Sequence, residues 1–293
     1  MSVTGANLPA GVSTRRRQTD RAMRGLLLAG MLIALVPLVL VLFYVISKGI
    51  GAWSWHFFSS DPTGNFFGDP GGIRSALVGT LEIVGVATLI SVPVGIGVAL
   101  WLVEYGKQSW FANVVRYFVD VMTGVPSIMF GLFIYIVLVL GHVGGSGFAG
   151  WKGSIAVSLL MLPIVIRSAE VVLLLVPESL REAALALGSP RWRVVTKVVL
   201  PTATPGLVTG SLLAVARGIG ETAPLLFTVS VAFSLTGNLN SQMDTLPFLI
   251  YNDSQNANPR IVAIAWGAAL TLVAFVLILN IVARLIARRS RLA

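Results

Sequence analysis

Val176-Pro177-Glu178-Ser179-Leu180-Arg181-Glu182-Ala183-Ala184-Leu185-Ala186-Leu187-Gly188-Ser189-Pro190 is a short, more polar stretch set between two long apolar runs. Ser179 with Glu182 three residues later fits a capping box, so a helix is expected to start at that serine. Alanine and leucine favour its interior. Gly188, with Pro190 just beyond, is a stop signal. The result is a helix of about two turns, too short to persist in water unless it packs on something. Immediately before it lies an apolar run at 153–176, and after Pro201 comes another at 205–230. Each is long enough to cross a bilayer, which takes about 20 apolar residues. A short polar helix between two spans makes this a loop of a membrane protein.

Four more such runs stand at 25–47, 76–103, 122–141 and 261–285. Of 293 residues, 56% are hydrophobic and 11% charged, and a soluble fold of this length cannot hide so much apolar surface. The expected fold class is all-α: a polytopic membrane protein with six transmembrane helices. The first run follows a basic tail over 1–24, but it is too long for a signal-peptide core and lacks a small-residue cleavage site. It is expected to be a retained helix, followed by an outer segment at 48–75 and a five-helix core at 76–285, with a basic tail at 286–293. Fifteen basic residues fall in the N-terminal tail, 104–121, 177–204 and the C-terminal end from Arg284 onward, against four in 48–75, 142–152 and 231–260. Both termini are therefore expected to be cytoplasmic, in a multi-pass protein of the cell membrane. On this reading the net charge of +9 records orientation, not nucleic-acid binding. Trp53, Trp55, Phe57, Phe58 and Trp151 fall in the outer segments, where interfacial aromatics belong. The chain has no cysteine and only two histidines, so no metal site is expected.

Ionisable groups inside spans are functional candidates. Arg167 and Glu170 share a face of the fourth span, and Arg217 and Glu221 share a face of the fifth. Two readings stand: ion pairs that clip helices together, or a polar path for an oxyanion, for which arginine is the natural ligand. In the second, each glutamate holds its arginine and prevents a trapped anion. Pro126, with Ser127, opens the third span as a helix-starting proline or a gate element. Glu82, near the start of the second span, reads as an interfacial or helix-end residue and not as part of a transport path. Gly206 and Gly210 form a small-xxx-small pair suited to close helix approach.

Glu182-Ala183-Ala184, three residues, Gly188, nine residues, Val198, one residue, Leu200-Pro201 resembles the EAA loop of binding-protein-dependent ABC importer permeases, with valine where the family pattern has isoleucine. The resemblance implies a type I ABC importer permease fold. It also implies that Glu182, Ala183, Ala184 and Gly188 belong to a coupling helix seated in an ATPase subunit. The block Arg217-Gly218-Ile219-Gly220-Glu221-Thr222-Ala223-Pro224-Leu225-Leu226-Phe227-Thr228 resembles the phosphate ABC importer permeases of the PstA type. Gly71-Gly72-Ile73, Gly124-Val125-Pro126-Ser127-Ile128 and Pro163 through Glu170 fit the same pattern. This resemblance implies inorganic phosphate as cargo. It implies as partners a second homologous permease, an ATPase dimer and an extracytoplasmic phosphate-binding protein.

No Gly-x4-Gly-Lys-Ser/Thr loop occurs in the chain, so it carries no recognisable ATP site and is not expected to be an enzyme. No cofactor is expected in this chain; ATP and magnesium are expected on the ATPase partner. A driver is needed, because moving a divalent anion into a negative-inside cell takes roughly 4–5 kcal/mol per 100 mV before any concentration gradient. The rivals are the same machine carrying phosphonate, sulfate or molybdate, and a stand-alone ion-coupled carrier.

Overall fold

The computed structural model describes residues 14–289 apart from 66, 108 and 146. Residues 1–13 of the basic N-terminal tail and Arg291 lie outside the described residues, as do the side chains of Arg15, Arg16, Arg17, Arg288 and Arg289. The chain divides into two units, Met1–Ser47 and Lys48–Ala293. The first holds most of α1 (Thr14–Gly49), whose apolar residues carry the first expected span.

The second unit runs α2 (Trp55–Ser59), α3 (Arg74–Leu100), α4 (Trp110–Gly124), α5 (Ser127–Ile134), α6 (Gly150–Leu174), α7 (Glu178–Ala186), α8 (Arg191–Val194), α9 (Leu200–Ile219), α10 (Leu246–Ser254) and α11 (Pro259–Arg289). Three π-helical turns extend helices: Trp101–Gly106 after α3, Tyr135–Val139 after α5 and Val195–Val199 between α8 and α9. Five helical stretches are long and apolar enough to cross a membrane: Gln18–Ala52, Arg74–Gly106, Gly150–Leu174, Arg191–Ile219 and Pro259–Leu285. Trp110–Gly124 and Ser127–Val139 reach that length and apolarity only when taken together, and the two are bent by 101°.

Two expected spans are redrawn. The run at 122–141 is not one straight helix, because Pro126 sits at the N-cap of α5 with ψ 136°. A proline cannot continue α4, and the residue before it is held extended, as Val125 is with ψ 130°. The run at 205–230 ends early, since α9 stops at Ile219 with Gly220 as its C-cap. Gly218, Gly220 and Pro224 withdraw helix propensity within seven residues. The chain beyond folds into the protein, where Leu225, Thr228, Val229, Asp244 and Thr245 are buried.

Lipid tails are as apolar as leucine, so close packing must hold such helices together. α3 and α6 form the central pair, and a Cβ added to Gly95 of α3 would stand 2.7 Å from Val165 of α6. The pair Gly206 and Gly210 seats α9 on α6 as its spacing predicts. Added Cβ atoms there would stand 2.5 Å from Val172 and 2.6 Å from Ser168. The central core gathers Ile83, Ala87, Val157, Met161, Val165 and Ala214. A second cluster at the α7 end includes Ala99, Leu173, Val194 and Leu207. At the other end, Phe57 packs with Ile73, Leu246 and Ala268, so it is core and not an interfacial aromatic; Trp55 remains exposed. Lys152 is also buried, its Nζ donating to the carbonyls of Gly145 and Gly147.

Candidate functional site

The loop at 176–190 forms α7, but not from the expected cap. Pro177 occupies the N-cap and Glu178 the first turn, so Ser179 lies inside the helix and caps nothing. Proline at this position lacks the N–H that would have no partner before the helix, and Glu178 complements the positive helix end. The stop signal works as expected. Gly188 takes φ +78°, its N–H donates to Leu185 O at 2.9 Å, and Ser189 N–H donates to Ala184 O at 3.2 Å. These two bonds make a Schellman motif, which favours glycine at the left-handed residue. Glu182 and Ala183 are exposed, whereas Ala184 packs against the cluster of Leu173 and Val194. The Glu-Ala-Ala triplet therefore splits, with two residues facing outward and one seating the helix.

The two intrahelical Arg/Glu pairs have different surroundings. Glu170 has a side chain only 8% exposed and both oxygens occupied. Oε1 accepts from Arg116 Nε at 2.7 Å, and Oε2 accepts from Arg167 Nη1 at 2.8 Å. Arg167 also pairs with Asp120 and donates to Arg116 O at 3.3 Å. Arg116 donates further to Lys107 O and Leu102 O, closing the end of the π-turn after α3. Two cations and two anions from α4 and α6 thus balance in one network. No local pattern in the sequence marks Arg116 and Asp120, because their pairing spans 54 and 47 positions.

Arg217 and Glu221 form the open pair. Arg217 Nε lies 3.2 Å from Glu221 Oε1, with side chains 60% and 13% exposed. Arg217 sits in the last turn of α9 and not in mid-helix, because the helix ends two residues later. A cation there is favoured by the negative helix end. Ala216, Arg217, Gly220 and Glu221 line an open cavity of about 620 Å³ with Leu272, Val273, Val276, Leu277 and Asn280 of α11. Asn280 is the one amide in this wall, its Nδ2 donating to Val276 O at 2.8 Å. Its signal was a polar residue in an otherwise apolar stretch of the last span.

Pro126 and Ser127 stand at the sharp bend. α5 touches the segment that follows Glu221: a Cβ on Gly131 would lie 2.6 Å from Pro224 Cα. The bend and the Arg217 cavity thus share a neighbouring element. Glu82 has a buried Oε2 with no hydrogen-bond partner among the described residues.

On the face opposite α7, Asp244 and Asp253 line a smaller cavity of about 190 Å³. Burial pushes the Asp244 carboxyl up to about 8, only partly offset by the Thr245 N–H it accepts. Burial also raises Asp253. Asp61 is held low by its hydrogen bonds from Arg74, which outweigh its burial. Among the described residues no group of three or more metal-ligating side chains is present.

Residues 91–292 match the model of the family described as binding-protein-dependent transport system inner membrane component. The phosphate transport system permease protein PstA of Haemophilus influenzae is 41% identical, over 92% of this chain and 94% of its own length. The phosphate transport system permease protein PstA 1 of Mycobacterium tuberculosis (strain H37Rv) is 38% identical, over 96% and 92%. Among solved structures, a bacterial alginate ABC transporter in complex with its alginate-bound periplasmic protein aligns with TM-score 0.67 at 16% identity, over 93% of this chain and 96% of that one. An inward-facing MetNI methionine ABC transporter aligns with TM-score 0.61 at 19% identity, over 74% and 95%. These two likenesses show the shared fold.

Proposed function

This chain belongs to the binding-protein-dependent transport system inner membrane components, and we propose that it is the permease subunit of an ATP-driven importer of inorganic phosphate. The observation that carries this reading is near-40% identity, across nearly the whole chain, to permeases named for phosphate transport. The exposed guanidinium of Arg217 at the mouth of its cavity is a group that an oxyanion can use, which supports the reading.

In this reading the chain supplies half of the pathway and a second homologous permease supplies the other half. An ATPase dimer binds below and an extracytoplasmic phosphate-binding protein docks above. Both termini face the cytoplasm, with α7, in accord with fifteen basic residues on that side against four on the other. α7 presents Glu182 and Ala183 to the ATPase: the small side chain permits close approach and the carboxylate can meet basic groups. Arg217 and Glu221 line the path, with Arg217 as the oxyanion ligand and Glu221 as the counter-charge that lets the anion leave. A transport site must bind weakly enough to release. Arg167 and Glu170 stand toward the α7 end of the path, where their network with Arg116 and Asp120 joins α4 to α6. Pro126 and Ser127 form the bend at which the path opens and closes.

The test is uptake by vesicles that contain this chain, its partner permease and the ATPase, supplied with phosphate-loaded binding protein outside and ATP inside. Labelled phosphate should accumulate only with ATP, and unlabelled phosphate should compete far better than sulfate, molybdate or phosphonate. Better competition by one of those anions would reassign the cargo. Accumulation without the ATPase would favour a stand-alone carrier.

A further inference from the structure

We propose that Arg181 is the strut through which α7 moves the membrane helices, making it a positioning residue for transport. The proposal rests on the reading that α7 docks on the ATPase. Only two residues of α7 turn away from solvent, Arg181 and Ala184. Ala184 offers one methyl group. Arg181 has a side chain 10% exposed and bonds in three directions. Its Nε and Nη2 lie 3.1 and 3.0 Å from Glu104 Oε1, in the π-turn that ends α3. Nη2 donates to Leu173 O at 2.9 Å and Nη1 to Val176 O at 2.6 Å, carbonyls at the C-terminal end of α6. Nη1 also reaches Glu178 Oε2 at 3.2 Å, within α7 itself. One planar cation therefore joins α7, α3 and α6, and completes the negative end of α6.

The surroundings make this contact mechanical. A cavity of about 560 Å³ opens beside it, lined among others by Glu104, Arg181, Leu185, Arg191 and Val194. α7 therefore borders open space on this side and is not wedged in a filled core. A buried ion pair contributes little net stability over a packed apolar replacement; what it fixes is relative position. The helices it reaches, α3 and α6, are the closely packed central pair, so a displacement of α7 reaches both together. Lysine cannot replace the fork, since an ammonium is a point charge and cannot hold a carboxylate and two carbonyls in one plane.

The experiment uses the reconstituted complex with Arg181→Gln, Arg181→Lys and Glu104→Gln, the last nearly isosteric and a safeguard should the arginine variants fold poorly. Three quantities are read: capture of the ATPase subunit, ATP hydrolysis, and phosphate transported per ATP. We expect capture and hydrolysis to persist while phosphate per ATP falls about tenfold, inside the usual range of coupling between sites. Glu104→Gln should reproduce the fall and Arg181→Lys should not restore it. Because the chain contains no cysteine, spin labels can be placed at Leu187→Cys on the α7 side and Leu89→Cys on α3. The distance distribution between them should broaden in Arg181→Gln. An unchanged phosphate-to-ATP ratio in both Arg181→Gln and Glu104→Gln overturns the proposal. So does a loss of uptake and hydrolysis in equal proportion with lost capture, which marks a purely structural role. Ala183→Arg tests the docking reading separately: if it leaves ATPase capture intact, docking through α7 fails, a result no Arg181 ratio can mimic.

Discussion

Replacing Arg217 by glutamine should cripple phosphate transport while leaving the complex assembled. The arginine keeps only Nε close to Glu221, at 3.2 Å, and among the described residues Nη1 and Nη2 make no hydrogen bond. That free edge is the fork that meets an oxyanion through two parallel bonds. Unit charges 4 Å apart at a surface-like dielectric attract by about 4 kcal/mol. Glu221 cancels part of that attraction, and the 60% exposure of Arg217 screens more of it. What remains is close to a hydrogen bond to a charged group, roughly 1.5–3 kcal/mol. At about 1.4 kcal/mol per decade, transport efficiency should fall roughly 10- to 100-fold. Arg217→Lys should fall between the parent and the glutamine variant, because it keeps the charge and loses the fork. The assay is initial-rate phosphate uptake in proteoliposomes, with assembly checked by co-purification of the ATPase. Uptake within twofold of the parent, in a normally assembled Arg217→Gln complex, would remove Arg217 from the path. A large loss accompanied by failed assembly would instead make the pair a clip between helices.

Glu170→Gln should act on stability, since it leaves Arg116 and Arg167 facing Asp120 with one excess positive charge. Allowing for the partial exposure of both arginines, the cost is about 1–3 kcal/mol, to be read as a lower melting midpoint in detergent. Gly188→Ala places a Cβ at φ +78° and should cost about 1 kcal/mol locally, seen as faster proteolysis around the end of α7 and weaker ATPase capture. Asp244 holds its proton up to about pH 8 when folded, against an ordinary value of 3.8. The folded state thus binds the extra proton between those values, and stability falls as pH rises through that window. Asp244→Asn should therefore melt higher than the parent at pH 9 and alike at low pH; a difference that does not depend on pH would contradict this assignment.

What the sequence showed best was what depends on local pattern. The Gly188 stop and the Gly206/Gly210 contact are consequences of a few neighbouring residues, and the structure holds both. Its errors have local causes too. Ser179 fits a capping box on paper, but Pro177 two residues earlier already starts the helix. Pro126 turns one expected span through 101°, and the glycines around Arg217 end another. Both breaks were visible as residues, yet a hydropathy run averages over them. The hidden part was long-range. Arg167 with Glu170 and Arg217 with Glu221 look alike in sequence, each an arginine with a glutamate one turn on. They differ because α4 brings Arg116 and Asp120 to the first pair, whereas α11 brings Asn280 and an apolar wall to the second. An arginine whose fork is already filled by carboxylates and carbonyls is poorly placed to meet a passing anion. The same argument separates Arg181 from both: every side of its fork is occupied and it is buried. It therefore suits a residue that transmits force, while the open fork of Arg217 suits one that meets the cargo.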